Sequence, residues 1–267
     1  MEEKIYYSPL QERMKRQAQH DETVIGLDLT NTTLEIAVED IDTYSNDEYI
    51  MLRRQGIGAS DSSVVLGVNP YKTVDDLIQE KVSTEITAKE REVGEKVAVR
   101  KGVDLEPLII QKFEHHFKKE CFKPKDMYRC TIAPQLTINF DGVTGTPEQY
   151  IPTEIKVVTQ YGEKHYNPLK AIFDEVNGFM SLPKDYSKEN ASIETKAAQY
   201  GIPPYYYTQL QQQILGLNAP YGYLSVLFDK DWRMHTFLIY RDDIVIKELI
   251  EKSKIIWDEI LAIRNKK

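Results

Sequence analysis

The chain has 267 residues, 41% hydrophobic and 28% charged, the proportions of a globular protein with room for one large core. No apolar run approaches the roughly 20 residues that cross a bilayer, so a membrane-spanning helix is excluded. Its 34 basic and 42 acidic residues give a net charge of −8, which excludes a broadly basic nucleic-acid coat. A nuclease is compatible with that balance, because it gathers carboxylates at a metal site and needs positive charge only along the track of the strand.

The opening residues, MEEKIYYSPLQERMKRQAQH, have no apolar centre of the signal-peptide kind, and a cytoplasmic protein is expected. They form a polar helix or a loose arm. Residues 23–41, TVIGLDLTNTTLEIAVEDI, alternate like two short strands around Thr30-Asn31-Thr32, a hairpin pattern. DTYSNDE at 42–48 has the composition of a linker. Residues 1–48 are therefore taken as an N-terminal extension, and 49–267 as the main domain.

In that domain Ala59-Ser60-Asp61-Ser62-Ser63 precedes an apolar VVLG and supplies candidate N-caps. Asn69-Pro70-Tyr71 marks a turn, and Thr73 with Asp76 opens a second helix in capping-box style. A long helix is expected from about Glu90 to Phe117, broken near 102–107 by Gly102 and Pro107. Two basic clusters fall here, Lys89 to Lys101 and Lys112 to Lys125 (including Lys118, Lys119 and Lys123), and are read as solvated faces. Cys121 and Cys130 are expected as two reduced thiols. His115 and His116 lie nearby, but no C-x-x-C or H-x-x-x-H pairing supports zinc.

After Pro124 the stretches MYRCTIA, QLTINFDG and YIPTEIKVV are short, β-rich and punctuated by Pro and Gly. Residues 161–200 are mixed and polar, in the manner of an insertion. Pro203-Pro204 starts a helix, YYYTQLQQQILGLN. YGYLSVLF and WRMHTFLIY flank a turn at Asp229-Lys230-Asp231, and a last helix begins near Asp242. The expected fold is α/β (α+β): a central mixed, mostly antiparallel sheet flanked by helices.

The chemistry gathers around Asp141, at a strand end before Gly142, and Glu154-Ile155-Lys156 in the next strand. Side chains alternate along a strand, so Glu154 and Lys156 share one face. Two carboxylates with an amine beside them suit a hard divalent cation and a phosphate. Glu106, on the preceding helix, supplies a third carboxylate. An E-x-K pair on an exposed strand would be only a cross-strand charge pair. Here the flanking Ile151, Ile155, Val157 and Val158 indicate a buried strand, where an unpaired Glu or Lys is costly. Gln209 and Gln213 share one edge of the later helix and Gln211 points elsewhere; a surface glutamine-rich helix is the plain alternative. Tyr205, Tyr206 and Tyr207 serve either core packing or base stacking.

The stretches LRRQGIGASDSSVVLGVNPYKT, VRKGVDLEPLIIQKF, INFDGVTG, TEIKVV and PPYYYTQLQQQILGLN, from Tyr49 to Phe228, carry a resemblance. Their order is Arg-x6-Ser, G-x-x-x-E, D-G, E-x-K and a glutamine-bearing helix. It resembles the lambda-exonuclease and YqaJ-like viral recombinase group of PD-(D/E)xK nucleases, which implies a restriction-endonuclease-like core. The resemblance puts Glu106, Asp141, Glu154 and Ile155 at metal positions, Lys156 on the catalytic lysine and Gln209 near the site. Arg53 and Ser60 fall on the pair used at the 5′-phosphate of a DNA end, with Arg54 as the competitor for Arg53. It implies a 5′→3′ exonuclease on linear double-stranded DNA that uses one or two Mg²⁺ or Mn²⁺ ions. It further implies phage or prophage recombination beside a single-strand annealing protein, and a ring-shaped homo-oligomer, a trimer. The chain differs in having Asn139-Phe140 before the aspartate and in placing Lys156 and Gln209 53 residues apart. Two other readings stay open: a catalytically silent nuclease fold that binds DNA ends or a protein, such as an inhibitor of host defence, and a restriction-type endonuclease.

Overall fold

A computed structural model describes residues 34–146, 148–159, 162–175 and 191–266. The expected arm over 1–20, the first strand of the expected hairpin and the middle of the 161–200 insertion lie outside the described residues.

β1 (Leu34–Val38) is followed by a 3-10 turn, Ile41–Thr43, and by α1 (Asn46–Arg53). The DTYSNDE stretch is therefore a turn and a helix start, where a linker was expected. Ser45 and Glu48 close a capping box: the Ser45 hydroxyl accepts from the Glu48 amide at 3.4 Å, and the Glu48 carboxylate accepts from the Ser45 amide at 2.8 Å. β2 (Ile57–Gly58) runs into a 3-10 turn, Ala59–Asp61, and then α2 (Ser62–Val65), a helix of one turn. α3 (Val74–Val82) starts on the expected Thr73–Asp76 capping box.

The expected long helix breaks at a different place. α4 (Ala88–Glu95) ends at Lys96, whose ψ of 132° is extended, and α5 (Val97–Phe117) then runs for 21 residues through both Gly102 and Pro107. Pro107 leaves the Val103 carbonyl without its helical donor. Both residues lie on an exposed face, where water can donate instead.

β3 (Cys121–Phe122), β4 (Met127–Cys130), β5 (Ala133–Ile138), β6 (Gly142–Thr146) and β7 (Gln149–Val158) follow. The described parts of the insertion hold β8 (Phe173–Asp174) and α6 (Ile193–Tyr200). α7 (Pro204–Gly216) begins at the double proline, β9 (Tyr221–Phe228) and β10 (Met234–Tyr240) form the expected hairpin, and α8 (Asp243–Arg264) is capped by the Asp242 side chain.

Among the described residues the strands form two sheets, where one was expected. The smaller has the order β1-β4-β5-β2 and the larger β3-β6-β7-β9-β10-β8. The β2/β5 and β7/β9 pairs are parallel and the remaining pairs antiparallel, so the mixed, mostly antiparallel character holds. Leu34–Val38, from the supposed extension, is thus an edge strand of the smaller sheet, with Leu34 opposite Cys130.

α7 touches both sheets. At Gly216 a Cβ would stand 2.4 Å from Ile138 Cδ1, so a larger residue would have to push that side chain aside for the helix to come this close to β5. Gln211, Gln212 and Gln213 are all buried, which corrects the surface-helix alternative. The side-chain N–H groups of each find a different acceptor, while the Oε1 atoms of Gln212 and Gln213 have no hydrogen-bond partner among the described residues. Gln212 donates to the carbonyls of Ile57 and Thr137 in the smaller sheet, both at 3.0 Å. Gln211 donates to the Tyr240 carbonyl at 2.8 Å and accepts from the Asp242 amide. Buried amides are tolerated because they complete backbone groups that would otherwise lack partners.

Cys121 and Cys130 are buried free thiols, both pushed up by burial, to about 12 and about 11. No helix among the described residues is long and apolar enough to cross a membrane.

Candidate active site

β7 lies inside the larger sheet, between β6 and β9, which explains its nearly continuous burial. Its alternation puts Ile155 into an apolar cluster with Ile109 of α5, Leu227 and Met234. Glu154 and Lys156 face the other way, towards α7. There Glu154, fully buried, accepts from Gln209 Nε2 at 2.5 Å on one oxygen and from Gln213 Nε2 at 2.6 Å on the other. Lys156 forms an ion pair with the same carboxylate and stands 3.9 Å from Asp141 Oδ2. The Lys156 ammonium also lies 5.3 Å from the centre of the Tyr206 ring.

Asp141 sits in the bend between β5 and β6. Its Oδ2 accepts from the Ile155 amide at 3.0 Å, which ties the bend to the E-x-K strand. Gly142 follows because a Cβ there would lie 2.7 Å from Cys121 Sγ.

The electrostatics follow from this crowding. Burial, then the neighbouring Asp141, push Glu154 up to about 7, while Lys156 and Gln213 pull it down. Burial alone would lower Lys156, but Glu154 and Asp141 outweigh it and raise it, so its ammonium keeps its proton. Burial, and Asp141 after the opposing Lys123, also raise Glu106. The folded pKa of Glu154 therefore exceeds its unfolded value. Its contribution to stability is full below the ordinary carboxylate range and is lost as pH rises through about 7. In EDTA, the fall in Tm between about pH 5 and about pH 8 should be shallower in Glu154→Gln than in the parent protein. Equal slopes by calorimetry would show that Glu154 titrates normally.

Glu106, on α5, comes close enough to Asp141 and Lys156 to feel both charges, but its carboxylate is held by Lys123 at 2.6 Å. Lys123 is the site residue that sequence reasoning missed. It stood in a run of lysines, and only its place just after β3 distinguishes it. Among the described residues, no group of three or more His, Cys, Asp or Glu side chains is gathered as a ready metal cage. The donors nevertheless suit a hard cation. They are carboxylate oxygens from three elements, and their mutual repulsion would be relieved by added positive charge.

The second group of expected residues is also brought together. Arg53 Nη2 donates to Ser60 Oγ at 3.1 Å, and both side chains are exposed. Arg54, the competitor, is buried: its guanidinium donates to the Ser83 and Glu85 carbonyls and pairs with Glu90 at 2.6 Å. Ser60 caps no long helix, because α2 is a single turn. Beneath Ser60, buried Asp61 pairs with buried Lys81 at 2.8 Å and with Lys72 at 3.4 Å. Burial would raise Asp61, but Lys81, Lys72 and Arg53 hold it well below the usual carboxylate range. Lys81 also donates to the Arg53 carbonyl at 2.8 Å, linking Arg53 to Asp61, the residue after Ser60.

The three tyrosines divide. Tyr207 is core, with its hydroxyl donating to Asp242 at 2.8 Å. Tyr206 packs beside Lys156, and Tyr205 meets Tyr71 edge-on.

Two solved structures share the fold. LHK-Exo in complex with dAMP matches with a TM-score of 0.54 at 16% identity, over 82% of this chain and 95% of that one. The alkaline exonuclease LHK-Exo from Laribacter hongkongensis matches with a TM-score of 0.51 at 17% identity, with the same coverage. Among curated proteins, the uncharacterized protein YqaJ of Bacillus subtilis is 33% identical over 85 residues, 32% of this chain. The matched part spans only 25% of that relative's length. The model of the YqaJ-like viral recombinase domain matches residues 48–216, well over half of the chain and all of the residues singled out above. The chain belongs to the YqaJ-like viral recombinase domain family.

Proposed function

We propose that the protein is a divalent-metal-dependent exonuclease that digests linear double-stranded DNA from its 5′ ends and leaves single-stranded tails for recombination. The observation that carries this reading is the meeting of Glu154, Lys156, Asp141 and Gln209 at one end of β7, against the buried face of α7. The fold shared with an exonuclease, in one case holding dAMP, supports it. In this reading Asp141, Glu154 and the Ile155 carbonyl would hold Mg²⁺ or Mn²⁺, with Glu106 available for a second ion. A divalent ion held there would supply positive charge that makes a water more acidic and offsets negative charge on a phosphate.

The protein's own groups do the rest. Gln209 and Gln213 fix both Glu154 oxygens, so that carboxylate cannot turn away when DNA enters. Glu154 and Asp141 hold the Lys156 ammonium on the face of the site, where it can donate to a phosphate. Partners follow from the same reading: a single-strand annealing protein to coat the tail, and further copies of the chain in a trimeric ring. The setting is the cytoplasm of a bacterium carrying a phage or prophage.

The decisive experiment is digestion of linear duplex DNA with a phosphate at only one 5′ end, in Mg²⁺ and in EDTA, beside closed circular DNA. Loss of the linear substrate from the phosphorylated end, in Mg²⁺ alone, is expected. Cutting of the circle would favour an endonuclease, and no cutting of either would favour a silent binding module.

Arg53 is expected to read the phosphate. Its guanidinium forms bidentate, charge-assisted bonds, and Ser60 adds a hydroxyl to the same anion. Arg53→Ala should lose about 1.5–3 kcal/mol and most of the preference for 5′-phosphorylated over 5′-hydroxyl ends. Arg54→Ala should instead lower Tm, since it empties a buried guanidinium position. Equal rates on both kinds of end in the unmodified protein would remove the phosphate pocket from the mechanism.

A further inference from the structure

We infer that Tyr71 is a stacking residue that receives the nucleobase beside the 5′-phosphate and so sets the register of the strand end; this rests on the reading of the protein as a DNA-end exonuclease. Tyr71 is 81% exposed. A single exposed tyrosine is ordinary; its position and its support are not.

The loop that carries Tyr71 is built from side-chain bonds. The Asn69 carboxamide accepts from the backbone amides of Tyr71 at 2.8 Å and Lys72 at 3.0 Å, and donates to Ser63 Oγ at 2.8 Å. Lys72 is anchored in turn on Glu80 at 2.7 Å. The backbone thus presents the ring to solvent in a fixed place.

That place lies between the two groups of candidate residues. On one side, the Tyr71 ring meets Tyr205 edge-on with centroids 6.1 Å apart, Tyr205 packs on Tyr206 at 4.6 Å, and Tyr206 lies beside the Lys156 ammonium. On the other side, Lys72 reaches Asp61, the residue after Ser60, which is itself bonded to Arg53. A strand with its phosphate on Arg53 and Ser60 and its scissile bond at Lys156 would therefore run past the Tyr71 ring, which these contacts link to both ends. Bases stack on aromatic rings whatever their sequence, which suits an enzyme that must digest every sequence it meets.

Binding to a duplex end is measured by fluorescence anisotropy in EDTA, where no cleavage takes place. The parent protein, Tyr71→Ala and Tyr71→Phe are compared on ends with an intact or an abasic 5′-terminal nucleotide. Tyr71→Ala should weaken binding by roughly 5- to 100-fold, and Tyr71→Phe, which keeps the ring, should bind like the parent. The abasic end should cost the parent protein a similar factor and cost Tyr71→Ala little, since each change removes the same contact. Tm should be unchanged in both variants, because the ring buries little. Unchanged affinity in Tyr71→Ala, or an abasic penalty of equal size in parent and variant, overturns the stacking role alone. A parent protein that binds no DNA end at all overturns both this inference and the exonuclease reading.

Discussion

Replacing Lys156 with alanine is expected to lower Mg²⁺-dependent cleavage of linear duplex DNA by about 10²–10⁴-fold while the protein stays folded. The lysine lies on the one face of β7 where its ammonium meets both Glu154 and Asp141, and no other ammonium is placed to replace it on that carboxylate pair among the described residues. Glu154→Ala should be at least as damaging. It removes a proposed ligand and also leaves the Gln209 and Gln213 amides without their acceptor. The two losses should not add. In the double variant the rate should be close to that of the worse single variant, because the residues act as one unit. Rates within a few-fold of the parent protein for either variant would move the reaction centre away from β7.

The second large effect is on stability. Asp61→Ala should cost roughly 3–5 kcal/mol, because it leaves the buried Lys81 ammonium facing little but a backbone carbonyl and a distant Glu80. For a domain of this size that corresponds to a fall in Tm of the order of 10 °C. The double variant Asp61→Ala, Lys81→Met should recover much of the loss, since a buried charge pair exchanged for an apolar contact is often neutral. If the single variant melts with the parent protein, Asp61 and Lys81 are not a coupled buried pair. The same single variant should lose the preference for phosphorylated ends, because Lys81 also holds the Arg53 carbonyl and Asp61 is next to Ser60.

Much of this arrangement was legible in the residues. Pro203-Pro204 and the Thr73–Asp76 box mark real helix starts, and the alternation of Glu154 and Lys156 does place them on one face. What escaped falls into three physical kinds. Ser45-Asn46-Asp47-Glu48 has a capping-box spacing inside a polar stretch whose composition equally suits a linker. Pro107 has the signature of a helix breaker, but a proline on an exposed helix face costs less than one that strands a buried carbonyl. The rest is non-local. Nothing near Leu34–Val38 announces Met127–Cys130 as its partner, and no local pattern tells a buried glutamine from an exposed one. Gln212 is buried because two strands distant in sequence both need a donor at one point.

That glutamine row has a consequence for measurement along a strand. Gln212 grips the β2 carbonyl just before the Ser60 turn, while Gln209 and Gln213, one turn of the same helix apart, grip Glu154. In the proposed reading, the place where an end is seated and the place where a bond is cut are fastened to a single rigid ruler with a rise of about 1.5 Å per residue. The length of the released fragment then becomes a constant of the helix. It should resist changes in loop length or in the N-terminal residues, and should drift only when the graduations of the ruler are altered.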